Sequence, residues 1–237
     1  MSENDNVFFD PFICYMDRKE VVNGVALFKV SVIMGDDKCF LDPEEEWYCR
    51  SFSGIEIQTF LATDLKRMLE GPSCSNMSVH MINQAVQLFS KSFVIDPSMM
   101  KTLTSTCYSY LVIGKRTEES FKVHSATMYH HNPTLGTFIP YLSVDADSKR
   151  KGLGSTMLMV LQKLFDKALK NPRLLVWLYL PSIHEHNALL TDKDKAEIRK
   201  SLIRFYRRLG FHPTIPSLYS LAYVVTQALQ EEIREVQ

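Results

Sequence analysis

The spacing of hydrophobic and polar positions changes along the chain, and each change marks an element. Gly24 to Ile33 (GVALFKVSVI) is rich in β-formers and partly alternating, which predicts a strand, with Phe8 to Tyr15 available to pair with it. Asp36-Asp37 reads as a turn, and Asp42 to Glu46 (DPEEE) as a short acidic loop. Gly54 to Leu61 (GIEIQTFL) alternates and predicts a strand. Thr63 and Asp64 are placed to cap a short helix through Leu69, which Gly71-Pro72-Ser73 ends. A longer helix opens at Asn76 or Ser78 and runs to Phe93, with Met81, Ile82, Val86, Leu88 and Phe89 on or near one face.

The second half reads more sharply. Strands are expected at Cys107–Ile113, Ser120–Tyr129 and Gly136–Val144, separated by Glu118-Glu119 and Asn132-Pro133, so an antiparallel meander is the natural arrangement. Gly152 to Leu169 is helical, with Leu153, Met157, Val160, Leu161 and Leu164 at helical spacing, and Asn171-Pro172 stops it. Leu174 to Leu180 (LLVWLYL) is a nearly continuous apolar run, the pattern of a strand buried on both faces. A basic helix over Ala196–Leu209 follows a polar stretch, and Gly210 suits its left-handed stop. From Leu218 to Val236 the pattern admits a strand around Tyr219–Val225, a helix, or both in succession.

Composition narrows the class. At 46% hydrophobic and 23% charged, the 237 residues have the balance of a folded globular protein. Lys plus Arg equals Asp plus Glu at 27 each, which gives no support for wholesale nucleic-acid binding. The five cysteines are irregularly spaced without a CxxC pair, so buried free thiols, a reducing compartment and a cytoplasmic location are expected, and no zinc pattern is present. No apolar run reaches the roughly 18 residues of a membrane span, and the acidic N-terminus lacks the apolar core of a signal peptide.

The chemistry concentrates after the third meander strand, where an Asp-rich turn leads into Lys149-Arg150-Lys151-Gly152-Leu153-Gly154-Ser155 and a helix. Free N–H groups at a helix start favour an anion. Glycines at 152 and 154 let a pyrophosphate approach the backbone, and three cations add charge. A tight turn with a solvated basic face fits that fragment equally well. Neither a Walker loop nor a GxGxxG fingerprint is present. Further on, Phe205-Tyr206-Arg207-Arg208-Leu209-Gly210-Phe211 ends a helix with an aromatic inside and a glycine stop.

In this order and spacing the two features resemble the GNAT superfamily of N-acetyltransferases. Leu142 through Gly154 (LSVDADSKRKGLG) is similar to that family's acyl-CoA motif, and FYRRLGF to its C-terminal Tyr-x-x-x-Gly-Phe element. The resemblance covers residues 54 to 225, behind an N-terminal extension over 1–50, with the acetyltransferase domain over 51–237. It implies an α+β fold, a mixed and mostly antiparallel splayed sheet flanked by helices, with an extra N-terminal β segment. It further implies that the main chain of Leu142, Ser143 and Val144 binds the pantetheine arm of acetyl-CoA, and that Lys149, Arg150, Lys151, Gly152, Leu153, Gly154 and Ser155 hold its pyrophosphate. Tyr206 would protonate the departing thiolate. Tyr179 aligns with a His of some N-terminal acetyltransferases and would act through an ordered water.

Two departures matter. Lys149 stands where the family prefers Gln or Arg. The strand before the motif, Phe138-Ile139-Pro140, offers no proton acceptor, and Pro140 requires an unpaired position or a bulge. His130, His131, Asp145, Glu185 and His186 are the weaker alternatives for a base. An active enzyme acting on a protein or small-molecule amine without a metal, a non-catalytic acyl-CoA-binding module, and an interaction protein therefore all stay open, as do a monomeric or homodimeric state and nuclear entry. The acidic Asp42–Glu46 run is a solvated face or a site for a basic acceptor.

Overall fold

A computed structural model of the chain describes residues 13–22, 25–33, 41, 44–60, 77–92, 101, 103–117, 120–132, 136–166, 174–179, 191–209 and 220–225. Their strands are β1 (Ile13–Val22), β2 (Val25–Ile33), β3 (Trp47–Phe52), β4 (Ser109–Arg116), β5 (Phe121–Asn132), β6 (Gly136–Val144), β7 (Leu174–Tyr179) and β8 (Ser220–Val225). The helices are α1 (residues 54–60), α2 (Met77–Ser92), α3 (Leu153–Asp166) and α4 (Asp192–Arg208). The eight strands form one sheet in sequence order, antiparallel at every step except β6 with β7.

Two cores lie on the two faces of this sheet. One packs α3 and α4 against Val30, Trp47, Cys49, Leu111, Ile113, Tyr129 and Ile139. The other packs α2 against Leu27, Tyr48, Phe52, Tyr110, Val112, Ala126 and Met128. Helix α2 follows the expected 3.6-residue period: Met81, Ile82, Leu88 and Phe89 are buried and His80 is exposed. Met157, Val160 and Leu161 of α3 are buried as their spacing requires. Each large apolar side chain buried in this way contributes on the order of 1.5–3 kcal/mol.

The meander β4–β5–β6 and the strand β7 stand where the pattern places them, although β4 begins at Ser109 rather than Cys107 and Tyr108. Helix α4 starts at Asp192, ahead of the expected Ala196. Thr191 accepts the amide of Asp194 at its hydroxyl (3.2 Å), and Asp194 accepts the amide of Thr191 (3.1 Å), a reciprocal cap that fixes the start. The N-terminal strand pair is a hairpin whose first strand is described over Ile13–Val22; it overlaps the expected Phe8–Tyr15 stretch at residues 13–15, and residues 8–12 lie outside the described residues. β2 has a strand on both sides, so its apolar edge is covered.

One element is of the wrong kind. Residues 54–60 are helical, not the strand expected over Gly54–Leu61, and the strand entering the domain is the preceding Trp47–Phe52. The Ser53 hydroxyl accepts the amide of Glu56 (3.2 Å) while the Glu56 carboxylate accepts the amide of Ser53 (2.7 Å), a capping box that commits the chain to a helix. Gly54 is forced by close approach: a Cβ there would stand 2.1 Å from the Thr106 carbonyl oxygen. The expected helix over Thr63–Leu69, the turns at Asp36-Asp37 and Gly71–Ser73, the Asn171-Pro172 and Gly210 stops, and the tail beyond Val225 lie outside the described residues.

Candidate active site

The site is built around an interruption in β6. Its antiparallel ladder with β5 runs from Asn132↔Gly136 through His130↔Phe138, slips, and resumes at Met128↔Tyr141. Ile139 and Pro140 therefore share the single position opposite Tyr129, a bulge on β6. Pro140 has no N–H to give a ladder, so it sits where the pairing already fails. On the other edge the parallel register with β7 is Phe138↔Trp177 and Ile139↔Leu178, and among the described residues it goes no further. The described β6–β7 pairing thus stops at the bulge, with Pro140 and Tyr179 unpaired to each other.

Backbone alternation then fixes what faces the gap. The Asp145 amide donates to the His124 carbonyl (2.8 Å), so the odd-numbered groups of this end of β6 face β5. The Thr127 hydroxyl donates to the Tyr141 carbonyl (2.8 Å) and the Ser125 hydroxyl to the Ser143 carbonyl (3.1 Å), in the same direction. The N–H and C=O of Leu142 and Val144 accordingly face the β7 side. Ser143 turns its side chain to the opposite core, where it donates to the Leu88 carbonyl (3.1 Å) and bonds Ser92. Leu142 and Val144 pack their side chains toward α3.

Beyond Val144 the chain makes a 3-10 turn over Ala146–Ser148, closed by the Ser148 amide on the Asp145 carbonyl (3.0 Å). Ser148 is buried, with its hydroxyl 2.7 Å from Nδ1 of His124. Burial, followed by the charge of Lys122 and Lys115, holds the His124 ring below the ordinary imidazole value. His124 also stands edge-on to Trp47, with centroids 5.3 Å apart. Nothing in the sequence singled out His124, because its role comes from a contact between two strands' worth of chain.

The basic run follows. Arg150 (φ 66°) and Gly152 (φ 78°) are both left-handed, a backbone conformation that lets successive amides turn toward one side instead of alternating. Gly152 is therefore outside the helix that had been expected to begin with it, and α3 starts at Leu153. The first helical bond is the Thr156 amide on the Gly152 carbonyl (2.9 Å). The amides of Leu153, Gly154 and Ser155 lie in the turn before it, where a helix has no internal acceptor for them. Lys149, Arg150 and Lys151 are exposed, whereas Leu153 and Ser155 are buried beneath the turn. The arrangement is a backbone cradle with a basic rim, which suits a phosphate or pyrophosphate.

Helix α4 closes the site from behind. A Cβ at Gly154 would lie 3.3 Å from Cζ of Phe205 and 3.8 Å from Cγ2 of Val144, so strand end, turn and helix meet at one point. Tyr206 is buried beside Phe205, with ring centroids 4.9 Å apart, in the core that includes Leu153 and Met157. Desolvation pushes its phenol well above the ordinary tyrosine value and keeps it protonated. Tyr179 ends β7, paired with Ser220 of β8 and one residue beyond Leu178, which places its backbone at the mouth of the gap.

One continuous sheet, a parallel pair whose described ladder ends at a bulge, and a glycine turn into a helix make up the architecture. This is the mixed, mostly antiparallel sheet flanked by helices that the sequence resemblance implied. Solved structures similar to this chain include GCN5 from Tetrahymena, at 12% identity, covering 64% of this chain and 91% of that one with a TM-score of 0.46. The ribosomal-protein-S18-alanine N-acetyltransferase from Escherichia coli is similar at 14% identity, covering 65% and 93%, TM-score 0.41. NAA60 from Arabidopsis thaliana, solved with a bisubstrate analogue, is similar at 12% identity, covering 62% and 95%, TM-score 0.41. No protein-family model matches the sequence, and no curated protein matches it.

Other sequence candidates fall elsewhere in the fold. The acidic loop is tied to the sheet: Glu45 pairs with Lys115 (2.6 Å) and Glu46 with Lys29 (2.5 Å). His130 and His131 stand near the bulge, and Asp145 lies in the turn. Glu185 and His186 lie outside the described residues. Cys49 is buried and Cys107 is exposed, and neither is in a disulfide. Among the described residues no cluster of His, Cys, Asp and Glu side chains could hold a metal ion.

Proposed function

We propose that this chain is an N-acetyltransferase that moves the acetyl group of acetyl-CoA to a primary amine by direct attack within a ternary complex. The observation that carries the reading is the continuity of two backbone surfaces. The edge of β6 at Leu142 and Val144 leads straight into the amide cradle of residues 150–155. A pantetheine arm with amides of its own bonds such an edge as an added strand would, and its pyrophosphate then falls at the start of α3.

In this reading the acetyl carbonyl lies near the bulge at Ile139–Pro140. The amine nitrogen attacks the thioester carbon, the C–N bond forms, and the C–S bond breaks. The leaving thiolate needs a proton in a dry site, and the protonated phenol of Tyr206 is the donor. Tyr179, at the mouth of the gap, acts by ordering a water beside the attacking amine. The acceptor is an amine of a protein or a small molecule.

A second reading, an acyl-CoA-binding module without turnover, is favoured by one feature: Phe138-Ile139-Pro140 carries no group able to take the amine's proton. Calorimetric titration of acetyl-CoA and desulfo-CoA into wild type and into a Gly152→Asp, Gly154→Asp double variant tests the cofactor site common to both. Binding that vanishes in a variant with an unchanged melting profile supports it. A well-folded wild type that binds neither ligand rejects it.

A further inference from the structure

We propose that His130 takes the proton of the acceptor amine, through its Nε2 atom. The inference rests on the acetyltransferase reading and supplies the base that β6 lacks. It begins with position. His130 of β5, Phe138 of β6 and Trp177 of β7 form one row across the sheet. That row is next to the bulge at Ile139–Pro140, where the described β6–β7 ladder ends, at the end of β6 opposite the phosphate cradle.

The face is also fixed. Side chains alternate along β5, and Met128 belongs to the core on the α2 side. His130 shares that face with Tyr108, whose ring centroid is 5.8 Å from the imidazole and 6.5 Å from Phe138. Leu142 and Val144 pack toward α3 on the other face. An amine reaching the gap from the side away from α3 meets His130, Tyr108 and Phe138. The ring is half-buried, so it is both oriented and reachable.

A hydrogen bond settles the tautomer. Nδ1 of His130 is 2.7 Å from the carbonyl oxygen of Cys107. A carbonyl only accepts, so Nδ1 carries the hydrogen and the neutral ring presents its lone pair at Nε2. The same carbonyl stabilises the imidazolium formed when Nε2 is protonated. The other described histidines are placed differently. His124 is bonded to Ser148 at the phosphate end, His80 is exposed on α2, and His131 turns its Nδ1 to Thr137 (2.9 Å) on the opposite face.

The proton count closes. The ammonium gives one proton to Nε2, and the neutral amine attacks the acetyl carbon. Collapse breaks the C–S bond, and the second N–H proton is lost as the thiolate gains one, with the Tyr206 hydroxyl as the relay. His130 then returns its proton to solvent.

The test uses the full chain at pH 7 with three primary amines that are mostly protonated there: spermidine, a lysine-bearing peptide and a peptide with a free N-terminus. Methoxyamine, which is already neutral near pH 7, is the contrast. His130→Asn keeps a donor for the Cys107 carbonyl and removes the second nitrogen. His130→Gln is the second variant should the first melt early. The expected result is acetyl-CoA binding equal to wild type, a loss of about 100-fold in kcat/KM with the basic amine, and a far smaller loss with methoxyamine. His131→Gln should keep its turnover. Equal losses on both amine classes, full turnover without His130, or a wild type that binds acetyl-CoA yet acetylates no amine would each overturn the assignment. A wild type that fails to bind acetyl-CoA would instead remove the acetyltransferase reading, and His130's role with it.

Discussion

Phe205 lies against Gly154: its Cζ is 3.3 Å from the point where a Cβ at residue 154 would project. The two sequence features that suggested a common chemistry are therefore in physical contact. The basic glycine turn and the aromatic helix end form one layer, with Val144 at its edge.

That contact predicts a coupled pair. Gly154→Val should force Phe205 aside and cost about 1–3 kcal/mol, which corresponds to a Tm drop of roughly 2–4 °C per kcal/mol in a domain of this size. In a double-mutant cycle with Phe205→Ala the costs should fall short of additive by at least about 0.5 kcal/mol. Additive losses in urea unfolding would show that the two residues do not share space.

Arg150 supplies the second prediction. Its left-handed φ of 66° strains any residue with a Cβ. Arg150→Gly should relieve that strain and raise stability by about 1 kcal/mol, less the entropy glycine adds to the unfolded chain. Arg150→Val should lower it. Thermal melts of the two variants check the order, and a lower Tm for glycine than for valine would contradict the backbone geometry.

His124 makes stability depend on pH with a definite sign. Its folded value lies below the free value of 6.5, chiefly through burial and then through Lys122 and Lys115, with Asp145 opposing them. The unfolded chain therefore binds the proton more readily, and stability falls as pH drops below 6.5 toward the folded value. His131 adds a slope of the same sign, since burial lowers it too. Urea unfolding at pH 7.5 and 5.5 should show a smaller difference in His124→Gln than in wild type. An undiminished difference would assign the slope to other groups.

Gly54 is the site where a small change should do most harm. A Cβ would lie 2.1 Å from the Thr106 carbonyl oxygen and 2.5 Å from that of Tyr108, both backbone atoms that cannot swing aside. Gly54→Ala should cost at least about 2–3 kcal/mol, whereas Ser53→Ala, which only removes the cap, should cost about 1 kcal/mol. Chemical denaturation of both variants checks the order.

Much of the fold was legible because most elements follow a single period. Met81, Ile82, Leu88 and Phe89 announce α2, and Gly136–Val144 coincides with β6. The failure at Gly54–Leu61 is instructive. Ile55 and Ile57 look like alternation, yet Ile55 is 70% exposed and Ile57 is 1% exposed, because α1 turns only one of them inward. The capping pair Ser53 and Glu56 was the signal that outweighed the alternation. Trp47–Phe52 was hidden for the opposite reason. Trp47 and Cys49 enter one core while Tyr48 and Phe52 enter the other, so the strand shows no alternation to find.

What the sequence determined by itself is local: helix and strand periods, the glycine turn, and the missing N–H of Pro140, all set by backbone chemistry within a few residues. Only the tertiary structure decided where these meet. The bulge at Ile139–Pro140 where the described β6–β7 ladder ends, the pinning of Ser148 by His124, and the placing of His130 beside that bulge depend on strand register, which is fixed by two cores closing at once. No stretch of sequence encodes a register alone, because shifting one strand by a residue exchanges which core every side chain on it enters.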